Sequence, residues 1–134
     1  KVFFSAMKGG PNGWEEYDGV LDAFDYVNIN EGNGFNGATG IFRAPVAGTY
    51  AFTFNGVTSQ YVKGRTFVKV LKDGKIHHDI IDANEADGNN NIGDSWMFKL
   101  RREEEVNLEV VIGKLYTHYY AYIYFTGQLL KADE

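Results

Sequence analysis

The chain has 134 residues, the length of one ordinary domain, and a net charge of −5 with Lys and Arg scattered rather than striped. That balance argues against nucleic-acid binding and against attraction to anionic lipid. A content of 44% hydrophobic and 16% aromatic residues sets disorder aside, and the absence of cysteine excludes a disulfide framework or a thiolate metal site.

No apolar run approaches the ~20 residues of a membrane span, so membrane insertion is not expected. The chain starts at Lys1 without an apolar leader, and any secretion signal is expected to have been removed or left out upstream. The lack of Cys says nothing about compartment.

In chain order, Val2-Phe3-Phe4-Ser5-Ala6-Met7 reads as a first strand, and Lys8 to Gly19, Gly-rich with Trp14 and Tyr17, as a long loop. Phe24 to Asn30 reads as a strand and Glu31-Gly32-Asn33-Gly34 as a turn. Gly48 to Asn55 carries the clearest alternation, with Tyr50, Phe52 and Phe54 on one face and Thr49, Ala51 and Thr53 on the other. Thr66 to Leu71 leads into Lys72-Asp73-Gly74-Lys75, where Asp-Gly suits a two-residue hairpin turn. Asp82 to Asp94, polar and Asn/Gly-rich, reads as a surface loop. Asp94 to Leu100 and Val106 to Ile112 alternate again across an acidic turn at Glu103 to Glu105.

Tyr119 to Leu130 closes the chain as a long strand. Tyr119, Ala121, Ile123, Phe125, Gly127 and Leu129 share one face; His118, Tyr120, Tyr122, Tyr124, Thr126 and Gln128 share the other. A half-solvated strand has a polar second face, yet here it opens with a tyrosine row. A second layer of the same domain or a neighbouring subunit would cover Tyr120, Tyr122 and Tyr124. No helical period, internal repeat or linker interrupts this pattern, so residues 1–134 read as a single all-β domain.

Phe24, Asn30, Phe35, Phe42, Gly48, Tyr50 and Phe52, with Thr39-Gly40-Ile41-Phe42, Pro45 and the closing Phe125-Thr126-Gly127-Gln128-Leu129, fall at one family's spacing. The chain resembles the C1q domain, the globular head of the C1q/tumour-necrosis-factor-like superfamily, along nearly its whole length. These residue types are fold determinants: large rings fill the gap between packed sheets, and glycines sit where the chain turns. The resemblance implies a ten-stranded jelly roll assembling as a homotrimer. One departure is visible, because the family's Gly-Asp turn is here Glu103-Glu104. No Gly-X-Y repeat is present, so either a head cut from a longer protein or a short form without a stalk is expected.

Catalytic chemistry finds no constellation. Ser5, Ser59 and Ser95 lack a nucleophile motif, and Glu15-Glu16 reads as a solvated pair, so no enzyme activity is expected. His77 and His78 are adjacent in a strand, where side chains alternate, so they are not expected to share a metal ion. No cofactor is expected apart from calcium. Some members of the resembled family hold calcium at the trimer apex; here Gly64 and Arg65 occupy the relevant loop, which leaves Asp73 as a possible ligand. Asp82, Glu85, Asp87 and Asp94 supply further carboxylates without the spacing of a calcium loop.

For ligand binding, aromatic rings beside polar groups are the natural candidates: Trp14, Tyr17, Tyr116, His118 and Tyr119. The expected function is a secreted, extracellular, trimeric recognition protein, lectin-like and of the innate-immune kind, binding carbohydrate or microbial surfaces by several weak contacts. A signalling ligand engaging a protein receptor, or a trimerising head of a stalked protein, is the alternative.

Overall fold

A computed structural model describes residues 1–10, 13–62, 64–82, 89–118 and 122–134. Among them are eleven strands and no helix: β1 (Phe3–Lys8), β2 (Glu15–Val20), β3 (Tyr26–Glu31), β4 (Phe35–Asn36), β5 (Ile41–Arg43), β6 (Gly48–Val57), β7 (Thr66–Lys72), β8 (Lys75–Asp82), β9 (Asn91–Leu100), β10 (Glu105–Thr117) and β11 (Ile123–Ala132). They form a five-stranded sheet in the order β3-β1-β11-β6-β9 and a six-stranded sheet built on β4-β5-β10-β7-β8, with β2 paired to β10. All named strand pairs are antiparallel. This is the expected jelly roll. The two-residue β4 is one reason the tally exceeds ten.

The core follows from period-two alternation. Tyr50, Phe52 and Phe54 of β6 are buried, as are Phe4 and Ala6 of β1 and Ile123 and Phe125 of β11. From the six-stranded sheet come Phe35, Phe42, Val68, Val70, Val106, Leu108 and Val110. Phe4 stacks on Phe35 at 4.4 Å between centroids and meets Phe125 edge-on at 5.1 Å, which ties three strands from both sheets together. Each fully buried ring stabilises the sandwich by roughly 1.5–3 kcal/mol. The Tyr50 hydroxyl donates to the Val46 carbonyl at 2.6 Å, so the one polar tip in that aromatic row is satisfied.

The structure corrects four local readings. The stretch from Lys8 to Gly19 is not all loop: Glu15–Val20 forms β2, whose sequence of two acids, Tyr, Asp and Gly carries no apolar alternation and is ordered by pairing with β10. The strand expected from Phe24 begins at Tyr26 and forms an exposed sheet edge. The loop expected from Asp82 to Asp94 is shorter, because Val57, Gly56 and Asn55 of β6 pair with Asn91, Ile92 and Gly93 and draw that polar segment into β9. Residues 83–88, with Glu85 and Asp87, lie outside the described residues, and so do Tyr119, Tyr120 and Ala121.

The fourth correction concerns the histidines. Val70 pairs with His78 and Leu71 with Ile76, which leaves His77 as an extra residue in β8. This bulge cancels the alternation and brings both rings to one side, with His77 Nδ1 2.9 Å from His78 Nδ1. Both rings also pack near Phe98, at 4.6 and 6.4 Å.

The outer faces of the two sheets differ in charge. On the six-stranded sheet, Glu109, Lys69 and Asp79 stand in register across β10, β7 and β8, with Lys69 Nζ 2.6 Å from Asp79 Oδ1. On the five-stranded sheet three cross-strand rows run Ile29-Ser5-Thr126-Thr53-Ser95, Glu31-Phe3-Gln128-Ala51-Met97 and Tyr26-Met7-Tyr124-Asn55-Gly93. Glu31 alone among these fifteen residues is charged, in a chain where 23% of residues are, and the lysines of this face gather in the next row, Lys131-Thr49-Lys99, at one end.

Candidate functional site

One end of the sandwich gathers aromatics from three separate segments. Trp14 immediately precedes β2, Tyr61 follows β6, and Tyr116 lies near the end of β10 with His118 just beyond it. Trp14 and Tyr61 are more than half exposed, at 54% and 63%, while Tyr116 and His118 are half-buried. Their rings form a row: Trp14 to Tyr61 at 5.6 Å, Trp14 to Tyr116 at 6.5 Å and 19° between planes, and Tyr116 to His118 at 6.3 Å and 8°.

Local backbone pairing builds this platform. Tyr116 and His118 share one face of a strand by their two-residue spacing. Tyr116 pairs with Glu16 and Thr117 with Glu15, which sets Trp14 beside the end of β10. Ser59 then fixes the third segment. Its amide donates to the Lys114 carbonyl at 3.0 Å, its hydroxyl donates to the Glu16 carboxylate, and its Oγ accepts the Tyr61 amide at 3.2 Å. A single buried serine therefore joins β2, β10 and the turn that carries Tyr61.

Tyr17 serves differently. Its ring packs against the core, Lys8 Nζ stands 4.2 Å from its centroid, and its hydroxyl donates to Glu15 Oε2 at 2.6 Å with the Gly9 carbonyl at 3.1 Å. Burial, and then the hydrogen bond to Glu15, push its pKa up to about 12. Lys8, itself buried, donates to the Asp22 carbonyl at 2.6 Å. Tyr17 thus anchors β2 to the core and keeps its hydroxyl inside the fold.

The structure brings together Trp14, Tyr116 and His118, and adds Tyr61, which sequence reasoning missed. Its signal was available: Ser59-Gln60-Tyr61 places a large ring in a polar turn, as Trp14 does. Tyr119, the remaining candidate, lies outside the described residues. The exposed Trp14 and Tyr61 rings, tilted by 41° to each other, and the half-buried Tyr116 and His118 form one aromatic surface with carboxylates of β2 at its margin.

The other candidates separate from this platform. Tyr124 is exposed at 42% on the charge-poor face, with Tyr122 half-buried and edge-on to it at 6.3 Å. Tyr122 also lies against Gly9, where any added Cβ would strike its ring. Tyr120 is not among the described residues. Asp73 sits in the β7–β8 turn at φ 53°, and its Oδ1 accepts the Glu105 amide at 3.1 Å. Among the described residues no three His, Asp or Glu side chains converge as metal ligands.

The C1q domain family profile matches residues 4–130 of this chain. Complement C1q tumor necrosis factor-related protein 3 of Mus musculus is 29% identical over 107 residues, which are 80% of this chain and 43% of that protein; the chain spans less than half the length of that relative. The globular domain of zebrafish complement 1qA superposes with a TM-score of 0.77 at 19% identity, covering 99% of this chain and 100% of that one. Eiger TNF from S. frugiperda follows the same fold with a TM-score of 0.70 at 11% identity, covering 100% and 96% of the two chains. Murine APRIL does so at 0.64 and 12%, covering 94% and 99%. With aromatic positions from β1 to β11 filling one jelly-roll core and the profile spanning almost every strand, the chain belongs to the C1q domain family.

Proposed function

We propose that this domain is a secreted homotrimeric recognition module, not an enzyme, that binds carbohydrate on microbial or other surfaces through the Trp14–Tyr61–Tyr116–His118 platform. The observation that carries the reading is the row of aromatic rings gathered at one end of the sandwich, with Trp14 near-parallel to Tyr116, Tyr116 near-parallel to His118, and Tyr61, tilted by 41° to Trp14, held there by Ser59. Domains of the C1q and tumour-necrosis-factor-like kind commonly form trimers. The outer face of the five-stranded sheet exposes Tyr26, Ile29, Met97 and Tyr124, apolar surface that sister chains would cover.

Three platforms on one rigid body turn weak single contacts into useful binding, because the second contact becomes intramolecular once the first is made. Secretion accords with the family; among the described residues no helix is long and apolar enough to cross a membrane. The test is a glycan array probed with the wild-type domain, Trp14→Ala and Tyr124→Arg. Selective glycan binding that Trp14→Ala abolishes and Tyr124→Arg weakens at least tenfold supports the reading. Binding to a cell-surface protein that no glycan competes would instead favour the receptor-ligand alternative.

A further inference from the structure

A second recess lies at the far end of the sandwich. It encloses about 570 Å³ and is lined by the end of β3, the β3–β4 turn, β4, β5 and the first residue of β10. Glu105 opens β10 and Tyr116 nearly closes it. At ~3.3 Å per residue that separation is about 30 Å or more, so this recess shares nothing with the aromatic platform.

Three asparagines, Asn30, Asn33 and Asn36, contribute to its lining. Asn30 donates from Nδ2 to the Phe35 carbonyl at 2.7 Å and accepts the Phe35 amide on Oδ1 at 3.1 Å, imitating a strand partner and holding the turn shut. Asn36 accepts the Ala38 and Thr39 amides on Oδ1, at 3.0 and 3.3 Å, which leaves its Nδ2 group as a donor to the recess. Asn33, at φ 55° in the turn, contributes a third amide. Arg43 Nε and Glu105 Oε2 stand 3.8 Å apart on the opposite wall, so one positive and one negative charge offset each other there.

Ile41 and Phe35 give the recess an apolar side. Gly34 and Gly37 line it with bare backbone and cannot be enlarged, because a Cβ at Gly34 would come within 2.6 Å of the Phe42 ring and one at Gly37 within 2.8 Å of Val27.

We propose that this recess is a binding site for a neutral saccharide unit. With Asn30 spent on Phe35 and Asn36 Oδ1 spent on its own turn, the groups left for sugar hydroxyls are Asn36 Nδ2, the Asn33 amide and the Arg43–Glu105 pair, which together supply donors and acceptors. A free anion would meet Glu105 and a free cation Arg43, whereas an uncharged polyhydroxylated ring meets neither penalty. The apolar side accepts its C–H face, and the volume lies within the usual range for small-ligand sites, about 300–1,000 Å³. The site has the ligand class of the proposed function and none of its residues, so each can fail without the other.

The experiment is an amide-resolved NMR titration of the intact domain with mannotriose, diacetylchitobiose and, as the acidic comparison, sialyllactose. The test variant is Asn33→Gly combined with Arg43→Ala; glycine accepts the turn's positive φ, so the fold is kept while an amide and a guanidinium are lost. We expect a neutral saccharide to shift Gly34, Asn36 and Gly37, the double variant to weaken that response at least tenfold, and Trp14→Ala to leave it intact. Shifts confined to the Trp14 platform, shifts at Gly34 to Gly37 with sialyllactose only, or no shifts at Gly34 to Gly37 at millimolar saccharide would each overturn the assignment.

Discussion

The imidazoles of His77 and His78 face each other nitrogen to nitrogen at 2.9 Å, across a bulge that sets two sequence neighbours on one side of β8. His78 also lies edge-on to Trp96 at 5.5 Å, and its Nε2 is buried without a hydrogen-bond partner. Burial, and then the neighbouring His77, lower the His78 pKa from the usual 6.5, while Asp94 and Asp79 work in the opposite direction.

A lowered folded pKa means that the unfolded chain binds the proton more readily. This contribution is therefore complete above about pH 6.5, is lost as pH falls from there through the folded value, and then levels off. Thermal melts between pH 7.5 and 5.5 should show Tm falling by a few degrees, and His78→Leu should flatten that part of the profile. A profile unchanged by His78→Leu would remove the histidine pair from the account.

The turn from β9 to β10 replaces the family's Gly-Asp with Glu103-Glu104, and the structure shows the consequence of each exchange. Glu103 sits at φ 72°, a left-handed conformation that disfavours any residue with a Cβ. Glu104 takes up the local capping: its carboxylate accepts the Arg101 amide at 2.7 Å, and that bond holds its pKa below the usual value. Glu103→Gly should therefore stabilise the domain by about 1 kcal/mol, the relief of backbone strain exceeding the added freedom of the unfolded chain. Urea titration measures it, and a decrease in stability would contradict the argument.

Gly127, in the closing Phe-Thr-Gly-Gln-Leu segment, matters for space rather than for φ. A Cβ there would approach the Phe4 ring at 2.5 Å and the Phe52 ring at 2.9 Å, both in the centre of the core. Gly127→Ala is expected to cost about 1–3 kcal/mol, read as an earlier midpoint in the same titration.

Much of this fold was legible in the sequence because its core residues alternate without interruption. Tyr50, Phe52 and Phe54 announced β6, and Asp73-Gly74 announced the β7–β8 hairpin, where the structure has φ 53° and 78°. Legibility failed where backbone pairing rather than side-chain pattern decides the outcome. Glu15–Val20 has no apolar face of its own and becomes a strand only on β10, and Asn91 and Gly93, on either side of the single buried Ile92, pair along β6. The bulge at His77 is a register property that local composition does not reveal. The platform was half legible: Trp14, Tyr116 and His118 stood out as rings in polar settings, but their meeting with Tyr61 depends on Ser59, whose bonds to Glu16 and Lys114 each reach across more than forty residues of sequence.

That role for Ser59 is testable. Ser59→Ala removes the acceptor for the Tyr61 amide and the donor to Glu16 while leaving every ring of the platform in place. Glycan binding should weaken severalfold, Ser59→Thr should restore part of it, and Tyr61→Ala should match the loss seen for Ser59→Ala. Binding unaffected by Ser59→Ala would mean that Tyr61 does not contribute.

In the proposed assembly three copies meet through the outer face of the five-stranded sheet and leave the aromatic platforms free. Tyr124 is the residue to change, because it is exposed on that face, whereas Tyr122 also lies against Gly9 within its own chain. Light scattering of the purified domain at micromolar concentration, beside Tyr124→Arg with its fold checked by circular dichroism, is the most direct measurement. The wild type is expected at three times the 15.1 kDa chain mass and a folded Tyr124→Arg at the single-chain mass. A wild-type domain that scatters as one chain, or a Tyr124→Arg variant that remains fully trimeric, would contradict it.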